Sequence, residues 1–348
     1  MNKYKPPYTI SSSILSLVAR ISESVGRMDG ANTNDTVTPQ LRRGNRIKSI
    51  HGTLALENNT LSVEQITAVF DGKAVVGHPR EIQEVLNAFA VYDKIREFSI
   101  SSEIDFLEAH QILTKTLVDE AGKYRCRGVG VLDGNRVVHM APPAKRVPFL
   151  MADLFEWLKE TDEHPLIVGA LFHYELEFIH PFVDGNGRMG RLWQTLIIGS
   201  WKNYFYFLPV ESLIKERQQE YYRILAATDK LGDITGFVEF ILAVIADTLV
   251  EMLERDQVSD QVSDQVVSLV KIMNDKSASA TELMARLNLA HRPSFRSRYL
   301  RVALVAGYIE MTIPDKPNSR SQKYRLTEKG RAVLKAEIKN DIGAFDRI

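Results

Sequence analysis

Twelve consecutive residues, His180-Pro181-Phe182-Val183-Asp184-Gly185-Asn186-Gly187-Arg188-Met189-Gly190-Arg191, bring together groups that suit one kind of chemistry. Two glycines flank an asparagine immediately before a helical pattern. Glycine lets the backbone take positive φ and turn its N–H groups toward one point. At a helix N-terminus those donors and the helix dipole make an anion site. Arg188 and Arg191 are three apart, so they share one helical face and can add two planar cationic forks to the same anion. Together these features suit a polyphosphate. Asp184 would repel such a ligand, and a divalent cation resolves the conflict, because Mg²⁺ takes hard oxygens from one carboxylate and from substrate phosphates. His180 supplies an imidazole, the side chain best suited to take a proton from an alcohol near neutral pH. A base, a metal carboxylate and a phosphate nest this close together imply nucleotidyl or phosphoryl transfer to a hydroxyl. Phe182 reads as a core anchor for the loop.

This string resembles the signature of the Fic (filamentation induced by cAMP) family, His-Pro-Phe-x-Asp/Glu-Gly-Asn-Gly-Arg-x-x-Arg, at every fixed position. The resemblance extends to Gly122-Lys123-Tyr124-Arg125, to Pro142-Pro143, and to His164-Pro165 leading into Ala170-Leu171-Phe172-His173-Tyr174, covering roughly residues 8 to 255. It implies protein adenylylation: AMP passes from ATP to a Ser, Thr or Tyr hydroxyl of a target protein, with Mg²⁺ as cofactor. His180 is then the base and Asp184 the metal ligand. The Gly185 to Gly187 amides, Asn186 and Arg188 cradle the α- and β-phosphates, and Arg191 takes the γ-phosphate, with Met189 and Gly190 in the same ATP-binding segment. Val137, Val138 and His139 belong to a hairpin flap that aligns the target by strand-like pairing. Gln218, Tyr221 and Tyr222 are expected on the adenosine side. The resemblance also allows self-modification, a homodimer, and, as an alternative activity, removal of AMP from modified proteins, with Glu57 positioning water.

Thr53-Leu54-Ala55-Leu56-Glu57-Asn58 resembles the family's inhibitory motif, Ser/Thr-x-x-x-Glu-Gly/Asn. Thr53 and Glu57 are four apart and share a face if the segment is helical. The resemblance implies that Glu57 pairs with Arg191 and removes the γ-phosphate anchor, so that the chain restrains itself in cis.

The elements that position these residues are mostly helical. Helical periodicity runs over Arg80 to Ile95, Ile104 to Glu120, Phe149 to Lys159, Pro165 to Phe178, Arg188 to Trp201, Glu211 to Thr228 and Thr235 to Leu253. Ser62-Val63-Glu64-Gln65 is a capping box opening a short helix. Gly128 to Leu132 and Arg136 to Met140 are β-prone runs joined through Asp133-Gly134, a hairpin signal. The repeat Asp256-Gln257-Val258-Ser259, Asp260-Gln261-Val262-Ser263, Asp264-Gln265-Val266 reads as a polar helical connector. Beyond it the chain turns basic, and helices at Val266 to Asn274, Ala280 to Leu287 and Pro293 to Val305 precede a hairpin from Tyr308 to Thr312 and Gln322 to Leu326. That is the plan of a winged helix-turn-helix, and Arg292, Arg296, Arg298 and Arg301 make DNA a partner to test, with a DNA-binding regulator whose core senses nucleotide as the competing function.

The expected fold is therefore mainly α: residues 1–100 a helical region with the inhibitory motif, 101–255 a Fic-type core with a β-hairpin flap, and 256–348 the connector and winged helix. The formal net charge of zero draws the whole chain neither to nucleic acid nor to an anionic membrane. One cysteine, Cys126, rules out a disulfide framework and fits a reduced cytoplasm. No stretch reads as a signal peptide or a membrane span.

Overall fold

The computed structural model describes residues 4–30, 39–133, 136–273, 276–289, 291–305, 307–314, 316, 317, 319, 321–331 and 334, with backbone alone at 30, 39–41, 130, 131–133, 136–139, 254–265, 297 and 298. They form two compact units, residues 1–250 and 251–348.

In the first unit the helices are α1 (Ser12–Gly30), α2 (Pro39–Leu56), α3 (Val63–Phe70), α4 (Pro79–Asp93), α5 (Glu103–Leu113), α6 (Val147–Glu160), α7 (Pro165–Ile179), α8 (Asn186–Trp201), α9 (Val210–Glu216), α10 (Gln218–Leu231) and the start of α11 (Thr235–Met273). β1 (Gly130–Asp133) and β2 (Arg136–Met140) pair antiparallel between α5 and α6. α7 and α8 are the centre. Both are buried nearly all round, α7 on an almost wholly apolar surface and α8 with Asn186, Arg188, Arg191, Gln194 and Thr195 buried among apolar residues, and the segment His180–Gly185 is the link between them. Close approach of the two helices needs a small residue, since a Cβ on Gly190 would sit 2.7 Å from His173 Cδ2. An aromatic cluster fills the space beside them: Phe106 of α5 packs within 5.0–6.1 Å of Phe155, Phe172, Phe182 and Trp193, measured between ring centroids. Phe182, fully buried, thus pins the link into the core.

α2 packs along α9 and buries Ile47, Ile50 and Leu54, which share one face at i, i+3, i+7 spacing. Gly52 permits contact with the α9 backbone itself, because a Cβ there would meet Glu211 C and Ser212 N at 2.6 Å.

Several boundaries differ from the sequence reading. The helix expected over Ile104 to Glu120 ends at Leu113, where Thr114 turns its hydroxyl back onto His110 O (2.7 Å) and Thr116 takes positive φ (63°). Glu211 to Thr228 is two helices, broken at Arg217 (φ −100°, ψ 28°). The connector and the helices either side of it are one element, α11, and the side chains of Val258 and Val262 lie outside those described. The flap strands form as expected, with a register shift between Val131 and Leu132 that pairs Val131 with His139 and Leu132 with Val137; Gly134 and Asn135 at its turn are outside the described residues.

The second unit holds α12 (Ala280–Arg286), α13 (Arg292–Phe295), one π-helical turn (Arg296–Leu300), α14 (Arg301–Val305), and β3 (Ile309–Met311) paired antiparallel with β4 (Tyr324–Leu326). Its core gathers Val266, Leu269, Val270, Met273, Leu283, Phe295, Leu300, Ile309, Tyr324 and Leu326. A capping box, Ser279 with Glu282, opens α12. No described helix is long and apolar enough to cross a membrane.

Candidate active site

The link between α7 and α8 is built by its ends. α7 stops at His180, which takes the left-handed conformation (φ 49°, ψ 59°) and keeps its N–H on Leu176 O (2.9 Å). Its imidazole, half-buried, has Nδ1 3.4 Å from Glu177 O. Asn186 then closes a small ring with Phe182: the Phe182 N–H donates to Asn186 Oδ1 (2.8 Å) and Asn186 Nδ2 donates to Phe182 O (3.0 Å). Asn186 is therefore spent on shaping the loop. Gly185 has φ 87°, the left-handed region that favours glycine, and its missing Cβ would lie 3.1 Å from Thr114 Cγ2.

His110 of α5 supports this loop from beneath. Its ring stacks on Phe182 (centroids 3.6 Å apart, 4° between planes). Gly122 N–H donates to His110 Nδ1 (2.9 Å), which leaves Nε2 protonated to donate to Asp184 O (3.0 Å). Burial pushes the His110 pKa down to about 4, so the ring stays neutral and its tautomer fixed.

Asp184 is partly exposed, and both of its oxygens are in ion pairs: Oδ1 with Arg188 Nη2 (2.7 Å) and Oδ2 with Arg80 Nη2 of α4 (3.0 Å). Arg188 is buried, and its Nε and Nη1 have no hydrogen-bond partner. Among the described residues no cluster of three or more His, Cys, Asp or Glu could enclose a metal.

Arg191 meets α2. Its Nε donates to Thr53 Oγ1 (2.9 Å), and its Nη2 to Thr53 O (3.2 Å) and Glu57 Oε1 (2.6 Å). Burial alone would weaken the Arg191 charge; the facing Glu57 carboxylate overrides this and raises its pKa. Gly187 makes room for that carboxylate, since a Cβ there would fall 2.5 Å from Glu57 Oε1 and 3.1 Å from Glu177 Oε1. The first turn of α8, where an anion belongs, is thus faced by two carboxylates. Glu57 follows the last residue of α2, and Asn58 is the left-handed residue that ends the helix (φ 66°): Asn59 N–H donates to Leu54 O and Asn58 N–H to Ala55 O, a Schellman closure. The glycine-or-asparagine position of the motif is explained by this backbone demand.

α9 and α10 hold the same helix end. Lys215 Nζ donates to Ala55 O (2.8 Å) and to Gln218 Oε1 (2.7 Å), and the Tyr222 hydroxyl to Leu56 O (3.2 Å). Tyr222 is exposed and Gln218 half-buried. Tyr221 departs from the expectation of a lining residue: it is buried, its hydroxyl between Glu177 Oε1 (3.2 Å) and His173 Nε2 (3.1 Å), so it braces the floor. Burial holds the His173 pKa near 3. β2 runs beside α10, and the side chains of Val137, Val138 and His139 lie outside those described. Sequence reasoning missed Arg80 and His110, neither of which carries a local signal.

The Fic/DOC family description matches residues 100–198, and that of the Fic-like C-terminal domain matches residues 264–327. The crystal structure of a Fic family protein from Desulfovibrio desulfuricans is similar with a TM-score of 0.71 and 53% identity, over 94% of this chain and 99% of that one. The chain belongs to the Fic family. Protein adenylyltransferase fic-1 of Caenorhabditis briggsae is 32% identical over 223 residues, which are 60% of this Fic chain and 41% of the relative. Protein adenylyltransferase Fic of Drosophila ananassae is 28% identical over 252 residues, 68% of this chain and 48% of the relative. The chain spans less than half the length of these curated relatives.

Proposed function

We propose that this Fic protein transfers AMP from ATP to a hydroxyl of a target protein, and that α2 restrains the reaction. The observation that carries the reading is the pairing of two features across one short link: a histidine presented at the end of α7, and a helix N-terminus built of Gly185, Gly187, Arg188 and Arg191. His180 takes the proton of a Ser, Thr or Tyr hydroxyl as its oxygen attacks the α-phosphorus. The bond to pyrophosphate breaks, and the α8 amides with Arg188 meet the charge that builds up. Buried Arg188 has N–H groups at Nε and Nη1 that no acceptor within hydrogen-bond distance engages, with Glu84 Oε1 4.0 Å from Nη1, and these fit it for an anion. Asp184 would hold Mg²⁺ in exchange for its two arginine partners, with the remaining ligands from phosphates and water, the mode that suits a single carboxylate. When bound, the ion supplies charge neutralisation for the polyphosphate.

The restraint rests on the Glu57–Arg191 contact. A carboxylate against the first turn of α8 takes the place and the counter-charge of a phosphate.

The test uses Glu57→Gly protein, ATP labelled on either the α- or the γ-phosphate, and a cell lysate. Label from the α-position on protein, the chain itself included, with none from the γ-position, is the expected result. Transfer of γ-label, or no transfer by a variant that binds ATP, overturns the reading.

For the second unit, exposed Arg292, Arg296 and Arg301 follow one another along α13, the π-turn and α14 ahead of the β3–β4 hairpin. This supports a winged helix that meets the DNA backbone. A gel shift with the full chain that weakens as salt rises, and weakens again in the triple Arg→Ala variant, is expected; binding unchanged in that variant removes the assignment. The side chain of Arg298 lies outside those described. Cys126, exposed and in no disulfide, fits a reducing cytoplasm.

A further inference from the structure

Arg125 lies in the segment between α5 and β1, and it is 2% exposed. Its guanidinium donates to four main-chain oxygens: Nε to His180 O (2.7 Å), Nη1 to Arg127 O (2.8 Å), and Nη2 to Pro142 O (2.6 Å) and Ile179 O (3.3 Å). Its own N–H donates to Pro181 O (2.9 Å). Burial lowers its pKa, with no neighbouring anion to oppose the effect.

Such an arrangement is costly unless each N–H finds an acceptor, and here carbonyl dipoles stand in for the missing anion. Ile179 and His180 end α7, where the helix dipole is negative and a cation is favoured. Arg127 and Pro142 flank the hairpin on either side. One side chain therefore ties the entry and exit of the β1–β2 flap to the carbonyls on both sides of the His180 Cα. Lysine cannot replace it, because an ammonium on a flexible stem has three donors at one point where this site needs a planar fork.

We infer that Arg125 is a positioning residue that sets the flap and the His180 imidazole in one frame, so that a target hydroxyl aligned by the flap arrives at the base. The inference rests on the adenylyl-transfer reading for its kinetic consequence and on geometry alone for its structural one. Binding of ATP is separate from the guanidinium, because the α8 nest is shaped by the Phe182–Asn186 ring and by His110, which the Arg125 side chain does not contact; the main-chain bond from Arg125 N–H to Pro181 O is kept in any Arg125 variant other than proline.

The experiment compares Arg125→Met and Arg125→Lys in a Glu57→Gly background. Arg125→Met is expected to lower kcat for AMP transfer at least about a hundredfold and to raise KM for the target. ATP affinity, measured by direct binding of a non-hydrolysable analogue, should move less than about threefold, which also verifies that the variant folds. Arg125→Lys should recover no more than about a tenth of the activity. In a second, activity-free arm, trypsin should cut at Arg136 at least about tenfold faster in Arg125→Met than in the parent. Unchanged kcat with unchanged cleavage overturns the inference, and so does ATP affinity that falls in step with kcat. If the Glu57→Gly parent transfers no AMP at all, the adenylyl-transfer reading fails, and the cleavage rate alone decides Arg125: faster cutting supports the frame, and no change overturns it.

Discussion

At the His180 end of the twelve-residue segment, the holding groups are a guanidinium surrounded by neutral carbonyls and a neutral imidazole stacked on Phe182. At the Arg191 end, the holding groups are a hydroxyl, a carbonyl and a carboxylate, all brought in by α2. The first end is fastened from elements of the aromatic core. The second is fastened by a helix whose own end is closed by Asn58, Lys215 and Tyr222. On the proposed reading the His180 end is fixed and the Arg191 end reversible, since Glu57 is one third exposed and would yield to a ligand of the same charge. One contiguous motif is thus held at one end by neutral groups and at the other by a carboxylate.

The widest break in this comparison is at the base. His180→Ala should lower AMP transfer by about 10²–10⁴-fold while ATP-analogue binding holds, since the imidazole acts on the incoming hydroxyl. Wild-type turnover in that variant removes His180 from the chemistry. The switched end moves in the opposite direction. The Arg191–Glu57 contact is worth about 1.5 kcal/mol after allowance for the exposure of Glu57, so Glu57→Gly should raise self-modification by about tenfold. Arg191→Ala should not reproduce the gain, because it removes the γ-phosphate anchor together with the partner of the brake. A Glu57→Gly protein no faster than wild type, where His180→Ala is inactive, would dissociate the contact from regulation.

A pH series sharpens the comparison, because one neutral histidine lies under each end. His110 and His173 titrate near 6.5 in an unfolded chain and near 4 and 3 in the fold, so below pH 6.5 the unfolded state binds more protons. Stability is fully present above about pH 6.5 and falls as pH drops toward 4. At pH 5 each group costs about 2 kcal/mol. Glu175 works in the other direction. Burial raises its pKa to about 7, so its contribution is present below about pH 4.5 and is lost by pH 7. Thermal melts of His110→Gln should fall less steeply between pH 7 and pH 5 than those of wild type; parallel slopes would show that His110 is charged in the fold. The smallest effect belongs to Asn58. Asn58→Gly should leave stability nearly unchanged, whereas Asn58→Val should cost about 1–2 kcal/mol and raise basal self-modification by loosening the end of α2. Unaltered basal activity in Asn58→Val would separate that helix end from the brake.

The catalytic segment was legible because an anion nest demands glycine, arginine and a helix start in unbroken sequence, all of which are local. The pairing of Thr53 and Glu57 with Arg191 was legible only through a motif, since 134 residues separate Glu57 from its partner. Arg125, His110 and Arg80 act across 55, 74 and 104 residues, and nothing in their immediate neighbours specifies a carbonyl cage, a stacked ring or a partner for Asp184. Helix ends were read least well where a side chain overrules periodicity, as Thr114 does after α5. Tyr221 was misplaced for a related reason: adjacent tyrosines look alike in sequence, and a helix turns them about 100° apart, one into the floor and one into solvent.

His180 sits at the end of α7 in the left-handed region, which glycine adopts freely and which a residue bearing a Cβ adopts at a cost. The fold would therefore be better served at this position by a residue unable to do the chemistry. His180→Gly should melt no lower than wild type, since it relieves a backbone cost of about 1 kcal/mol, while being inactive. On the proposed reading, the imidazole is kept at this position at a standing cost in backbone stability.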